Sequence, residues 1–218
     1  MSQATKTAGN VAEQAQEILH DTAGVYWEAD KLYHYINKAQ NVIAMTRGDK
    51  MSTLTTLELA TGETKQKIAA GSMKLLDVVR NMGSDGLSPG NAIRRASKRT
   101  LDAFDPGWHT TTPAIAVKEW FPDPSENAID FYVYPAAHGS TAVHLEVEVV
   151  QYPTDVNSAD DTLSTPDELF PAVLDYVLFR AYSEDQEDKN DASAQQHLQN
   201  FVGILGITPQ QVEQAEKS

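Results

Sequence analysis

The chain has 218 residues, 41% of them hydrophobic and 22% charged, the proportions of an ordinary globular protein of one large domain or two small ones. With no cysteine, disulfides, thiol nucleophiles and cysteine metal sites are excluded. A formal net charge of −14 argues against a nucleic-acid-binding surface, which needs basic patches to displace counterions, and no window approaches the ~18 uninterrupted apolar residues of a membrane span.

The first ten residues, MSQATKTAGN, carry no apolar signal-peptide core and read as disordered, so synthesis in the cytoplasm is expected. Ala12, Ala15, Ile18 and Leu19 then recur at helical spacing in a short helix over 11–20. Asp21 to Gly24 breaks it, and Val25-Tyr26-Trp27 reads as an anchor for the chain. A second helix starts near Glu28 to Asp30, buries Leu32, Ile36, Ala39 and Ile43, and ends at Arg47-Gly48.

From Met51 the period changes. The β-branched run Thr53 to Leu59, the turn Thr61-Gly62-Glu63 and the return Lys65 to Ile68 read as a hairpin. Met73 to Asn81 reads as a strand, Gly83 to Gly90 as a turn, Ala92 to Ala96 as a short strand and Lys98 to Phe104 as a helical turn. Three strands follow at 114–120, 129–134 and 143–150. In the last, Val143, Leu145, Val147 and Val149 face one way and His144, Glu146 and Glu148 the other, as in an antiparallel strand with one wet face. Residues 152–164 form a polar, acidic linker.

Ser164 to Gly206 reads as two antiparallel helices around a charged turn. The first is apolar at Leu169, Phe170, Val173, Leu174, Val177, Leu178 and Ala181, wide enough around its circumference to be buried. Thr165-Pro166-Asp167-Glu168 fits a capping box, but a start nearer Asp167 places Pro171 in the first turn, where a missing N–H is tolerated. The second helix carries Ala194, Leu198, Phe201, Val202 and Leu205 on one stripe and stops at Gly206. Thr208 and Pro209 start a last polar helix to Lys217, whose apolar face is little more than Val212 and Ala215. It is expected to be frayed or docked on a partner.

Helices, then strands, then helices point to an α+β architecture: a helical bundle built from the N- and C-terminal helices, with an inserted antiparallel β-domain. The expected divisions are 1–49 (arm and first helices), 50–152 (β-domain), 153–206 (linker and later helices) and 207–218 (tail).

No constellation for chemistry emerges. The six histidines show no metal-ligand spacing, and His138-Gly139-Ser140 lacks the Gly-x-Ser-x-Gly context of a nucleophile elbow. Neither a cofactor nor a metal is expected. Trp108, Trp120, Phe121, Phe131, Tyr132 and Tyr134 lie in the β-domain; of the adjacent Trp120 and Phe121, one is expected in the core and the other at a sheet edge or interface, where aromatics are enriched. Charge is uneven: residues 151–218 carry thirteen acids against three bases, while Arg80, Arg94, Arg95, Lys98 and Arg99 concentrate the opposite sign. Two readings stand: a simply solvated surface, or copies of the chain packed acidic face against basic face.

Several segments resemble the head-to-tail adaptor proteins of short-tailed bacteriophages. They are Ile18-Leu19-His20-Asp21 with Trp27 and Tyr35 to Gln40; Lys74 to Met82; Asp105-Pro106-Gly107-Trp108-His109; Phe131 to Pro135; and Leu174 to Ser183, in the same order over nearly the whole chain. The resemblance implies a structural virion protein without enzymatic activity: a ring of identical subunits, twelve to match the portal, lying between portal protein and tail nozzle protein. Tail fibres are a further partner it allows. DNA would pass through the channel without specific binding, and no membrane is involved. The tail after Gly206 would dock on the portal through Thr208, Pro209, Gln211, Val212 and Ala215. Candidate intersubunit residues are Arg94, Arg95, Lys98, Arg99, Asp175, Arg180, Asp185 and Glu187. Competing readings are a tail-completion or tail-tube protein further from the head, and a hydrolase or binding module with its pocket around Trp108-His109 and Trp120-Phe121.

Overall fold

A computed structural model describes residues 4–123, 129–184 and 191–217. In chain order the elements are α1 (Ala8–Ile18), α2 (Ala29–Thr46), β1 (Ser52–Glu58), β2 (Lys65–Lys67), β3 (Ser72–Asn81), β4 (Arg94–Arg95), α3 (Lys98–Phe104), β5 (Glu119–Pro122), β6 (Asp130–Tyr134), β7 (His144–Gln151), α4 (Phe170–Glu184), α5 (Asp191–Leu205) and α6 (Pro209–Glu216). The fold is α+β. The chain divides into a helical unit, Met1–Met51 with Tyr152–Ser218, and a β-unit, Ser52–Gln151.

The helical unit starts earlier than the sequence suggests. Thr7 caps α1 through a capping box with Asn10, so the helix begins at Ala8 and not at Val11. The arm before it is ordered by distant partners that no local pattern reveals. The backbone N–H of Thr5 donates to the Asp167 carboxylate at 2.7 Å, and the Lys6 carbonyl accepts from Leu163 at 3.0 Å. Gly9 is there for close approach: a Cβ at that position would lie 2.9 Å from the Ala159 carbonyl oxygen. The linker after β7 is likewise tied down, because the Asn37 side chain accepts from the Val156 N–H at 2.8 Å and donates to its carbonyl at 3.0 Å.

A 3-10 turn over Asp167–Leu169 precedes α4, which leaves Pro171 in the first α-helical turn. Tyr176 and Phe201 meet in the core between α4 and α5, with ring centroids 5.2 Å apart, beside Leu32, Ile36 and Ile43 of α2. The last helix is neither frayed nor free. Thr208 and Gln211 form a capping box at its start, and Val212 enters the bundle core at 3% exposure while Ala215 packs against it. Two apolar positions suffice because the rest of the bundle supplies the surface that α6 covers.

The β-unit holds an antiparallel sheet in the order β1-β7-β3 and a mixed sheet in the order β2-β6-β5-β4. The expected hairpin between β1 and β2 does not form: β1 pairs with β7 and β2 with β6, so they lie in separate sheets. The turn between them is held instead by Gln66, whose buried amide accepts from the Ala60 N–H at 2.7 Å and donates to the Ala60 and Glu63 carbonyls at 3.0 and 2.8 Å. Nor is the β-unit wholly antiparallel, since β4 runs parallel to β5.

The strand expected at 114–120 is reduced to a bridge at Ala114 and the start of β5 at Glu119. Its backbone is satisfied another way: Asn81 accepts from the Val117 N–H and donates to the Val117 carbonyl, both at 2.8 Å. Trp120 and Phe121 are both buried, because both faces of their sheet are covered. Trp120 joins the main core of the unit, and Phe121 stacks on Tyr132 at 5.5 Å and meets Trp108 edge-on at 5.2 Å. On the wetter face of β7, Arg80 donates to both Glu146 oxygens at 2.8 and 3.2 Å, and the Ser52 hydroxyl donates to Glu148 at 2.6 Å.

Candidate interaction surfaces

The basic run sits on β4 and α3 of the β-unit. Parallel pairing places Arg94 opposite Glu119, and the two side chains form an ion pair. Arg95 lays its guanidinium 5.2 Å from the Trp120 ring centroid, a cation–π contact. Lys98 reaches Asp102 one helical turn on, at 2.8 Å. The hydrogen bonds from Lys98 and from Trp108 hold the Asp102 carboxyl below its ordinary value. Arg99 is exposed and has no partner among the described residues. Beside these charges a cleft of about 420 Å³ is floored by Ala96, Thr100, Leu101 and Phe104, with Arg94 and Glu119 on its rim. Phe104 is 85% exposed.

Asp175 and Arg180, expected in buried or intersubunit pairs, are engaged within their own chain. Asp175 lies 2.7 Å from Nδ1 of His197 and accepts from Asn200 at 3.3 Å, which joins α4 to α5. Arg180 bonds Glu184 at 3.2 Å and Glu216 at 3.4 Å. The same carboxylates receive buried tyrosines, Tyr35 at Glu184 (2.5 Å) and Tyr176 at Glu216. Burial, with the hydrogen bond to Glu216, pushes the Tyr176 hydroxyl far above its usual range. Burial opposes ionisation of Glu184, yet the bonds from Tyr35 and Arg180 outweigh it and hold the carboxyl below its ordinary value. An apolar helix carries these charges because each one ties it to a neighbour. Asp185 and Glu187 lie outside the described residues.

Of the residues expected to dock on the portal, Thr208, Pro209 and Gln211 are exposed, while Val212 is spent on the bundle core and Ala215 is half-covered. Thr208 and Gln211 are also engaged with each other in the helix cap.

Val25-Tyr26, expected with Trp27 to anchor the chain, is exposed surface instead. Of the expected anchor only Trp27 anchors, with Lys31 4.5 Å from its ring centroid. Val25 and Tyr26 are 68% and 82% exposed. Spacing cannot assign such residues, because an apolar pair in a short loop looks the same whether it points in or out.

The geometry offers little for catalysis. Nδ1 of His109 lies 3.2 Å from the Thr64 hydroxyl, and its ring is stacked on Trp108 at 3.6 Å; Asp102 is taken by Lys98 and by the Trp108 indole N–H at 2.8 Å. Among the described residues, no group of His, Asp and Glu could hold a metal ion, and no helix is long and apolar enough to cross a membrane.

No curated protein matches this sequence. The SU10 adaptor protein family matches it over residues 6–217, nearly its full length and across both structural units. The chain therefore belongs to the SU10 adaptor proteins, the phage head-to-tail adaptors that its own motifs resemble.

Proposed function

We propose that copies of this chain form a closed ring, twelve-fold to match the portal, that joins portal protein to tail nozzle protein and gives DNA its passage out of the head. The observation that carries this reading is the family match over residues 6–217. Its role is structural, without enzymatic activity, and its place is the virion. A ring of identical subunits uses a heterologous contact, one face of each copy against a different face of the next. The distribution of charge suits this. The helical unit carries 19 acids against 8 bases, and the β-unit 12 against 9, so −11 of the −14 resides in one unit. A channel wall of net negative charge lets DNA slide, because it does not gather the phosphates as a basic patch does.

The portal contact falls to the exposed side of α6, next to Pro209, while Val212 and Ala215 hold that helix to the bundle. Electron microscopy of the purified chain mixed with portal protein tests the whole reading. A ring layered on the portal is expected; a monomer with no affinity for it overturns the proposal. For the α6 contact, Gln210→Arg leaves thermal unfolding unchanged and lowers portal binding. Unchanged binding moves the contact elsewhere.

A further inference from the structure

Two exposed apolar features stand out, one in each unit, and they carry opposite charge. The first is the Val25-Tyr26 knob. Its exposure is built and not a by-product of looseness, because the loop is locked from several directions. The Asp21 carboxylate accepts three backbone N–H groups, from Val25 at 3.0 Å and from Tyr26 and Trp27 at 2.8 Å each. Gln16 donates to the Trp27 carbonyl at 2.8 Å, and Gly24 takes a left-handed turn (φ 64°) with its N–H on the Asp21 carbonyl at 2.9 Å. An aromatic already fixed in place loses little entropy on binding, which is what makes such residues effective contacts. From residue 13 to 31 the chain around the knob carries five acids, Glu13, Glu17, Asp21, Glu28 and Asp30, against Lys31 as its only Lys or Arg.

The second feature is the cleft on α3. It is lined by Ala96, Ser97, Thr100, Leu101 and the exposed Phe104 together with the Arg94–Glu119 pair, and the run from Arg94 to Arg99 beside it carries four bases with no acid between them in sequence. Glu119 pairs with Arg94, Asp102 pairs with Lys98 and Arg95 lies over the Trp120 ring, which leaves Arg99 exposed and without a partner among the described residues. In a chain of net charge −14 such a patch is set apart, and the partner it selects is an acidic surface with an apolar centre.

The chain supplies that partner itself. We infer that the Val25-Tyr26 knob of one copy seats in the α3 cleft of the next, Tyr26 against Phe104 and Leu101, with the acids around the knob facing Arg99. This rests on the ring reading above and names the surfaces that would close it. Because knob and cleft are different faces of the chain, the contact is heterologous and propagates around a ring. A buried tyrosine removes roughly 150–250 Å² from water, enough to make it a dominant contact at the centre of an interface.

The test places the photo-reactive benzoylphenylalanine at position 26 in a mixture of isotope-labelled and unlabelled full-length chains, assembled alone or on portal protein. Irradiation is expected to join labelled to unlabelled copies through the peptide carrying Leu101 and Phe104. An assembled ring whose cross-links fall elsewhere overturns the knob and cleft while the ring stands. No assembly in either condition overturns both. In a mutant cycle, Tyr26→Ala and Phe104→Ala each weaken association about tenfold, and the double variant loses little more, because the two side chains touch. Losses that multiply to about a hundredfold show that they act at separate places and overturn the pairing.

Discussion

The Tyr176 hydroxyl donates to the Glu216 carboxylate, so α4 holds the last helix of the chain by a side chain that is itself fully buried. Arg180 reaches the same carboxylate, and the three residues form a clip between α4 and α6. Tyr176→Phe keeps the packing and removes the donor. A hydrogen bond to a charged group contributes about 1.5–3 kcal/mol, and Glu216 keeps Arg180, so a loss of about 1–2 kcal/mol in urea unfolding is expected. Amide protection of α6 is expected to fall more than that of α2. Unchanged protection of α6 in Tyr176→Phe would mean that the helix is held without this hydrogen bond, by Val212 and the Arg180 contact.

Gly9 yields a prediction opposite to its helix propensity. In an exposed helix, Gly→Ala stabilises by about 1 kcal/mol. Here a Cβ meets the Ala159 carbonyl oxygen at 2.9 Å, and the Gly9 N–H must keep its 2.9 Å bond to that same oxygen. Backbone cannot step aside as a flexible side chain does. Gly9→Ala is therefore expected to destabilise by about 1–3 kcal/mol in thermal unfolding, and a gain in stability would show that the arm packs less closely than described.

Asn81 replaces a missing strand partner. Its amide donates to the Asn91 carbonyl at 3.1 Å and makes both bonds to Val117. Asn81→Ala leaves a buried N–H and carbonyl without partners. A cost of about 2–4 kcal/mol follows, and Asn81→Asp is no rescue, since a carboxylate cannot donate to the Val117 carbonyl. Chemical denaturation of both variants measures it. Wild-type stability in either would show that the 114–117 segment is held by something else.

The knob loop is sensitive to acid in a defined direction. Backbone hydrogen bonds from Trp27, Val25 and Tyr26 hold the Asp21 carboxyl below its ordinary value. A lowered folded pKa means that the contribution is fully present above the unfolded value of about 3.9 and is lost as pH falls through the folded one. Carboxyl carbon shifts followed by NMR are expected to place the Asp21 midpoint below that of a free aspartate, with amide exchange at 25–27 rising through the same range. A midpoint at or above the ordinary value would remove the lock from the loop.

Some of this was legible in the residues alone. The stripe on α2, the wide apolar circumference of α4 and the alternation of β7 are local patterns, and the elements stand where those patterns put them. Order along the chain was enough for the α+β class, and motifs spread over its length were enough for the family. The basic run was visible as a charge cluster, but the cleft beside it was not, because Leu101 and Phe104 carry no spacing signal in so short a helix.

Where periodicity is strong within a dozen residues, the sequence by itself determined the outcome: the long helices and their buried faces, the alternation of β7, and the acidic balance of the helical unit. Tertiary structure alone decided which partner answered each backbone group and each marginal side chain. It sent β1 to β7 instead of β2, ordered Thr5 and Lys6 on Asp167 and Leu163, buried both Trp120 and Phe121, drew Val212 inward and left Tyr26 outward. The physical reason is common to all of these. Hydrogen-bond satisfaction and apolar burial are completed between segments some 90 to 160 residues apart in several cases, and a local pattern states that a group needs a partner without saying which one.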